Sequence, residues 1–174
     1  ICERKRQAHD LYVDLSEDIV NSPAASPRLR CSIASGLALW TGEIDRPYDA
    51  SLRFEEVVAR FAPDLGERDS LILEARRGQA RFAGEAGRPD KAVELYRGIA
   101  DDCARWFGPR SPQNFEARRG LARWLLAAGN NDEALEAYRS VERDCVEALG
   151  RDHILTLWAS FGLAEAQKRA GDPT

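Results

Sequence analysis

The stretch Gly87-Arg88-Pro89-Asp90-Lys91-Ala92-Val93-Glu94-Leu95-Tyr96 decides the fold. Its Ala92-x-x-x-Tyr96 step returns every 42 residues without insertion or deletion, at Ala8-x-x-x-Tyr12, Ala50-x-x-x-Phe54 and Ala134-x-x-x-Tyr138. Working outward, a glycine keeps the same step at Gly36, Gly78, Gly120 and Gly162, each followed two residues later by an alanine. A period of this length built from helix-forming residues marks a stacked-repeat architecture, in which each unit buries its apolar face on its neighbours. Folds of that kind present surfaces to partners.

Each unit reads as two helices. In one, Ser111 to Ala128 is followed by Gly129-Asn130-Asn131 and then by Asp132 to Leu149. The turns repeat at Arg46-Pro47, Gly87-Arg88-Pro89, Gly129-Asn130-Asn131 and Gly171-Asp172-Pro173, with glycine closing one helix and proline or asparagine opening the next. Longer loops between units match as well: Pro63-Asp64-Leu65-Gly66, Phe107-Gly108-Pro109 and Leu149-Gly150-Arg151-Asp152. In the second helix of a unit, Ala92, Tyr96, Ile99 and Cys103 are spaced by four, three and four, which puts one stripe on one helix face. The ladders Ala50, Phe54, Val57, Phe61 and Ala134, Tyr138, Val141, Cys145 obey the same rule, as do Ala8, Tyr12, Leu15 and Ile19. The chain therefore opens on a second helix. A mid-helix glycine costs about 1 kcal/mol relative to alanine, so four at equivalent places imply a close helix approach at each.

The prediction is an all-α, right-handed superhelical solenoid of about eight helices in antiparallel pairs, one repeat domain over 1–174. Its units fall at 1–23 (partial), 24–65, 66–107, 108–149 and 150–174 (partial). Beginning with Ile1 and holding no methionine, the chain reads as a fragment of a longer protein; 22 of its 25 basic residues are arginine, a bias that suggests a GC-rich bacterial genome. A formal net charge of −4 and a pI near 5.3 disfavour bulk binding to nucleic acid or anionic membranes. No apolar run reaches transmembrane length and no signal-peptide pattern opens the chain, so a cytoplasmic protein is expected.

Four cysteines, Cys2, Cys31, Cys103 and Cys145, lack any C-x-x-C pair. Cys103 and Cys145 occupy equivalent places on separate helices, whose axes pack about 8–10 Å apart, whereas a disulfide needs Cα atoms within roughly 7 Å. Buried thiols are expected, and with His9 and His153 far from ligand spacing, no metal and no cofactor. The sequence shows no phosphate-binding glycine loop, kinase catalytic loop or zinc-protease helix motif, so no catalytic residue is assigned and an enzyme is not expected.

With these residues in view, the chain resembles the tetratricopeptide repeat. The likeness rests on the Ala-x-x-x-Tyr/Phe step, on Leu37-Ala38, Leu121-Ala122 and Leu163-Ala164 in the first helices, and on the helix–turn–helix period. The 42-residue spacing and Leu149-Gly150-Arg151-Asp152-His153 with Thr156-Leu157 are similar to the kinesin-light-chain variety. Arg151 and Ile154 stand where that variety has prolines, and Arg76 and Arg118 where the family has a first-helix tryptophan. In its arginine and alanine bias the chain is also similar to tetratricopeptide tails of actinobacterial serine/threonine kinases and transcriptional regulators.

The resemblance implies a concave groove lined by first helices. Its residues here would be Glu74, Arg77 and Arg81, then Glu116, Arg119 and Arg123, then Trp158, Phe161 and Glu165, with Ser32, Ser35 and Leu39 one unit back. Family members grip a peptide carboxylate at such places; this chain keeps the positive charge as arginine but has Gly78 and Gly120 where an asparagine often sits. Arginines four apart on one face repel, so a partner's carboxylates are one expected counterweight and internal neutralisation by Glu74, Glu116, Glu85 and Glu165 is the other. The predicted function is a protein–protein interaction module for a protein or peptide, acidic or with a C-terminal carboxylate. A sensor of a small ligand or signalling peptide is the alternative, and a nucleic-acid-binding helical repeat ranks below it. Apolar surface on the first and last helices predicts end-to-end self-association.

Overall fold

A computed structural model describes residues 2–171, and among them there are eight helices and no strand. The chain divides into two compact units, Ile1–Arg88 and Pro89–Thr174. The first holds α1 (Cys2–Ile19), α2 (Pro27–Glu43), α3 (Pro47–Leu65) and α4 (Ser70–Glu85). The second holds α5 (Pro89–Phe107), α6 (Pro112–Ala127), α7 (Asn131–Leu149) and α8 (Ile154–Gly171). Within each unit every helix packs on the next in sequence, and the outer face of one pair reaches the other: α2 touches α4, and α6 touches α8. Connections this short leave neighbouring helices antiparallel.

The helix ends follow the repeat. Asp69 and Ser111, one period apart, accept the backbone N–H of Leu71 at 2.9 Å and of Asn114 at 3.3 Å. One period further, the N–H of Leu155 donates to Nδ1 of His153 at 3.2 Å, so this loop histidine opens α8 as a cap. Side-chain acceptors here satisfy N–H groups that have no partner inside the helix. The loop glycines Gly66, Gly108 and Gly150 have φ of 86°, 91° and 89°, a region that only glycine enters without strain. In the short turns before α5 and α7 the left-handed position is Gly87 and Gly129, but in the turn before α3 it is Asp45, at φ 65°.

Two expectations shift at this level. The predicted loop at Pro63-Asp64-Leu65-Gly66 is shorter, because α3 continues through Pro63 to Leu65 and breaks only at Gly66. Of the turn at Gly171-Asp172-Pro173, Gly171 belongs to α8, while Asp172 and Pro173 lie outside the described residues.

The period-matched glycines explain the packing. A Cβ placed on Gly120 would lie 2.6 Å from Cδ1 and 2.7 Å from Cζ of the Tyr96 ring, with Cε1 nearer still. Gly36, Gly78 and Gly162 meet the rings of Tyr12, Phe54 and Tyr138 in the same manner. The aromatic of each Ala-x-x-x-Tyr/Phe step thus seats on the glycine of the following helix, and one motif requires the other. Ile72, Phe61 and Phe82 fill the core of the first unit, where the Phe54 and Phe82 rings stack at 5.9 Å. Phe115, Val141, Cys145, Leu155 and Ala159 form a cluster in the second. The thiols of Cys31, Cys103 and Cys145 are fully buried; burial raises the Cys31 thiol pKa and pushes that of Cys145 up to about 11. The side chain of Cys2 lies outside those described.

Candidate functional site

In the second unit, α6, α7 and α8 enclose a cleft of about 450 Å³. Arg119 and Arg123, one helical turn apart on α6, form a cationic wall. Trp158 and Phe161 form an apolar wall on α8, where they are 46% and 73% exposed. Tyr138 of α7 closes the floor, and burial raises its hydroxyl pKa. Five predicted groove residues, Arg119, Arg123, Trp158, Phe161 and Glu165, therefore share one cleft. Glu116, half-buried on α6, is not part of its lining.

The cationic wall is held by aromatic faces. The Arg119 guanidinium lies 5.1 Å from the centroid of Trp158, and that of Arg123 lies 5.3 Å from Trp124. Arg119 Nε is buried without a hydrogen-bond partner among the described residues. The ring face stabilises the Arg119 cation, while its buried Nε is left without an acceptor, which is costly. Glu165, a candidate counterion for this patch, instead binds Arg169 on its own helix at 2.9 Å.

The first unit treats its arginine differently. Arg81 Nε donates to Glu85 at 2.8 Å and its terminal nitrogen donates to Glu43 at 3.0 Å, while its guanidinium stacks 4.7 Å over Phe82. Lys5 of α1 donates to the other oxygen of Glu43 at 2.9 Å. The hydrogen bond from Lys5, joined by Arg81, holds the Glu43 carboxyl below its ordinary value against the opposing effect of burial. Glu43 was absent from the predicted set, yet it precedes Glu85 by one period, so its role was readable in the repeat. Glu74 is exposed on α4, and Arg77 is half-buried on the same helix.

A smaller cavity of about 230 Å³ lies among α1, α2 and α3. There Arg60 donates to the Val20 carbonyl at 2.9 Å and to Asn21 Oδ1 at 3.0 Å, a use that ties α3 to the α1–α2 loop. No group of three or more His, Cys, Asp or Glu is placed to hold a metal among the described residues, and no described helix is long and apolar enough to cross a membrane.

The family model described as tetratricopeptide repeat matches residues 71–144. A crystal structure of BtubC (BKLC) from P. vanneervenii superposes with a TM-score of 0.78 at 17% identity, covering 97% of this chain and 67% of that one. The fold is that of the tetratricopeptide repeat. Nearly identical TPR-like repeats of a protein described as a kinesin light chain from Podosopora anserina superpose with a TM-score of 0.72 at 24% identity, covering 98% of this chain and 89% of that one. A single-substitution variant of those repeats gives 0.74 at 24% identity, covering 98% and 88%. No curated protein matches the sequence. Tetratricopeptide repeats are in general protein–protein interaction modules and typically non-catalytic scaffolds.

Proposed function

We propose that this tetratricopeptide chain binds a protein or peptide segment in the α6–α8 cleft, through a carboxylate held by Arg119 and Arg123 and an apolar side chain laid on Trp158 and Phe161. The observation that carries the reading is the contrast between arginines. Arg81 is bound by two carboxylates of its own unit, whereas among the described residues no carboxylate pairs with Arg119 or Arg123. Guanidinium–carboxylate bonds are charge-assisted and directional, so they give both affinity and orientation. A cleft of this size takes two or three side chains rather than a folded surface, which favours an extended segment. An acidic segment or a C-terminal carboxylate meets the requirement equally. The wider setting that fits is a cytoplasmic bacterial signalling protein, such as a serine/threonine kinase or a transcriptional regulator, in which this repeat selects the partner.

A peptide library selected on the purified chain and then titrated against variants tests the reading. A selected peptide should lose about 10- to 100-fold in affinity for an Arg119→Glu, Arg123→Glu variant of unchanged helicity, the equivalent of one or two charge-assisted bonds. Trp158→Ala should weaken the same peptide by removing the apolar wall. Peptides that bind both charge variants as tightly as the unaltered chain would refute the assignment.

A further inference from the structure

The floor of the α6–α8 cleft carries a hydroxyl beside the cationic wall. Tyr138 of α7 lines the cleft and is 4% exposed. Its ring is fixed on Gly162 of α8, where a Cβ would lie 2.5 Å from Cζ, the carbon that bears the hydroxyl. That hydroxyl makes no hydrogen bond among the described residues. Burial acts first on its acidity, followed by the charges of Arg119, Glu165, Arg123 and Arg169, so all four charged groups stand around it. Packing does not need the hydroxyl, because Phe54 keeps the equivalent seat on Gly78 without one.

The charge of the cleft can be counted. Three arginines and one glutamate line it, and Glu165 and Arg169 bond each other at 2.9 Å. Two positive charges are left, those of Arg119 and Arg123, both on α6. A single carboxylate balances one of them. A phosphate monoester carries about −1.5 to −2 at pH 7 and presents three strong acceptor oxygens.

We propose that the cleft reads phosphorylation of its partner segment: a phosphate monoester enters where a carboxylate would bind and is held more tightly, and Tyr138 is the residue that tells the two apart. This rests on the α6–α8 cleft being the binding site. A carboxylate has two oxygens, which one bond from each arginine satisfies. A phosphate monoester has three terminal oxygens. Two accept from Arg119 and Arg123, and the third accepts from the Tyr138 hydroxyl on the floor. The dianion also balances both guanidinium charges, while the organic part of the ester lies against Trp158 and Phe161. Phosphorylation of the partner would thus act as a switch on its recognition.

Titrating the full chain with phenyl phosphate and with phenylacetate, followed by NMR at the Trp158 indole, tests the proposal. Phenyl phosphate should bind about 5- to 20-fold more tightly than phenylacetate, the equivalent of one added hydrogen bond and one added charge. Tyr138→Phe keeps the total charge and the ring seat. It should weaken phenyl phosphate more than phenylacetate and lower the ratio to about 2–3. Arg119→Glu, Arg123→Glu should abolish binding of both probes. Equal affinity for the two probes overturns the proposal, as does a ratio that Tyr138→Phe leaves unaltered. Phenyl phosphate that fails to bind, or that binds the charge variant as well as the unaltered chain, overturns it too. Failure of the cleft reading itself shows separately, as library-selected peptides indifferent to Arg119→Glu, Arg123→Glu.

Discussion

Replacing Gly120 by alanine tests whether the repeat is built on ring-over-glycine seats. Two opposing effects act at this position. Alanine in a helix interior is favoured over glycine by about 1 kcal/mol. Against that, the new Cβ would lie 2.6–2.7 Å from Cδ1 and Cζ of Tyr96, so the ring must retreat by about 1 Å to reach ordinary contact near 3.5 Å. Tyr96 is 8% exposed and has little room to move. Overpacking of this kind costs typically 1–3 kcal/mol, and a wedge under a buried ring belongs at the upper end, near 3. The net loss is about 2 kcal/mol, or roughly 4–8 °C in Tm for a chain of this length. Gly98 supplies the control, since it lies within α5 and a Cβ there meets nothing within 4 Å. Gly98→Ala should therefore stabilise by up to about 1 kcal/mol. Urea melts followed by circular dichroism should show the two variants moving in opposite directions. In a Tyr96→Ala background the Gly120→Ala penalty should vanish and become a small gain, giving a coupling energy of the corresponding size. Parallel stabilisation by Gly120→Ala and Gly98→Ala would refute the argument.

Two further expectations come from the first unit. Glu43 has a lowered folded-state pKa, so its contribution is fully present above the unfolded value near 4.5 and is lost as pH falls through the lower folded value. Glu43→Gln should then cost about 1 kcal/mol at pH 7 in urea melts and nothing at low pH, where the two stability curves meet. Asp45 holds at φ 65° the place that Gly87 and Gly129 fill in later pairs. Asp45→Gly should raise stability by about 0.5–1 kcal/mol by thermal melting, since the relief of left-handed strain outweighs the added freedom of the unfolded chain.

Much of the fold was legible because the repeat has no insertions. A helix boundary recognised once, at Gly129-Asn130-Asn131, predicts its equivalents, and the helices end within a residue or two of those places. The glycine–aromatic seat was half legible. The recurrence of Gly36, Gly78, Gly120 and Gly162 demanded a close approach, but no linear spacing says which neighbour approaches. Pro63 misled because proline usually ends a helix, yet in a last turn its missing N–H costs one hydrogen bond and the backbone continues to Leu65.

The charged residues show where sequence spacing stops being informative. Arg81 and Arg123 are one period apart and identical in type, but only Arg81 has glutamates on both sides, from Glu43 and Glu85. The period places Ala127 at the position that Glu43 and Glu85 occupy, so the repeat itself removes the carboxylate where the second unit would need it. Trp158 falls at the position of Glu74 and Glu116, replacing a further carboxylate with a ring that Arg119 stacks upon. Both departures act in the same direction and on the same wall. The repeat thus neutralises Arg81 internally in one unit and places apolar residues at two of the corresponding positions in the other, with Glu165 of α8 the carboxylate that lines the cleft there, and this asymmetry is what the proposed binding role rests on.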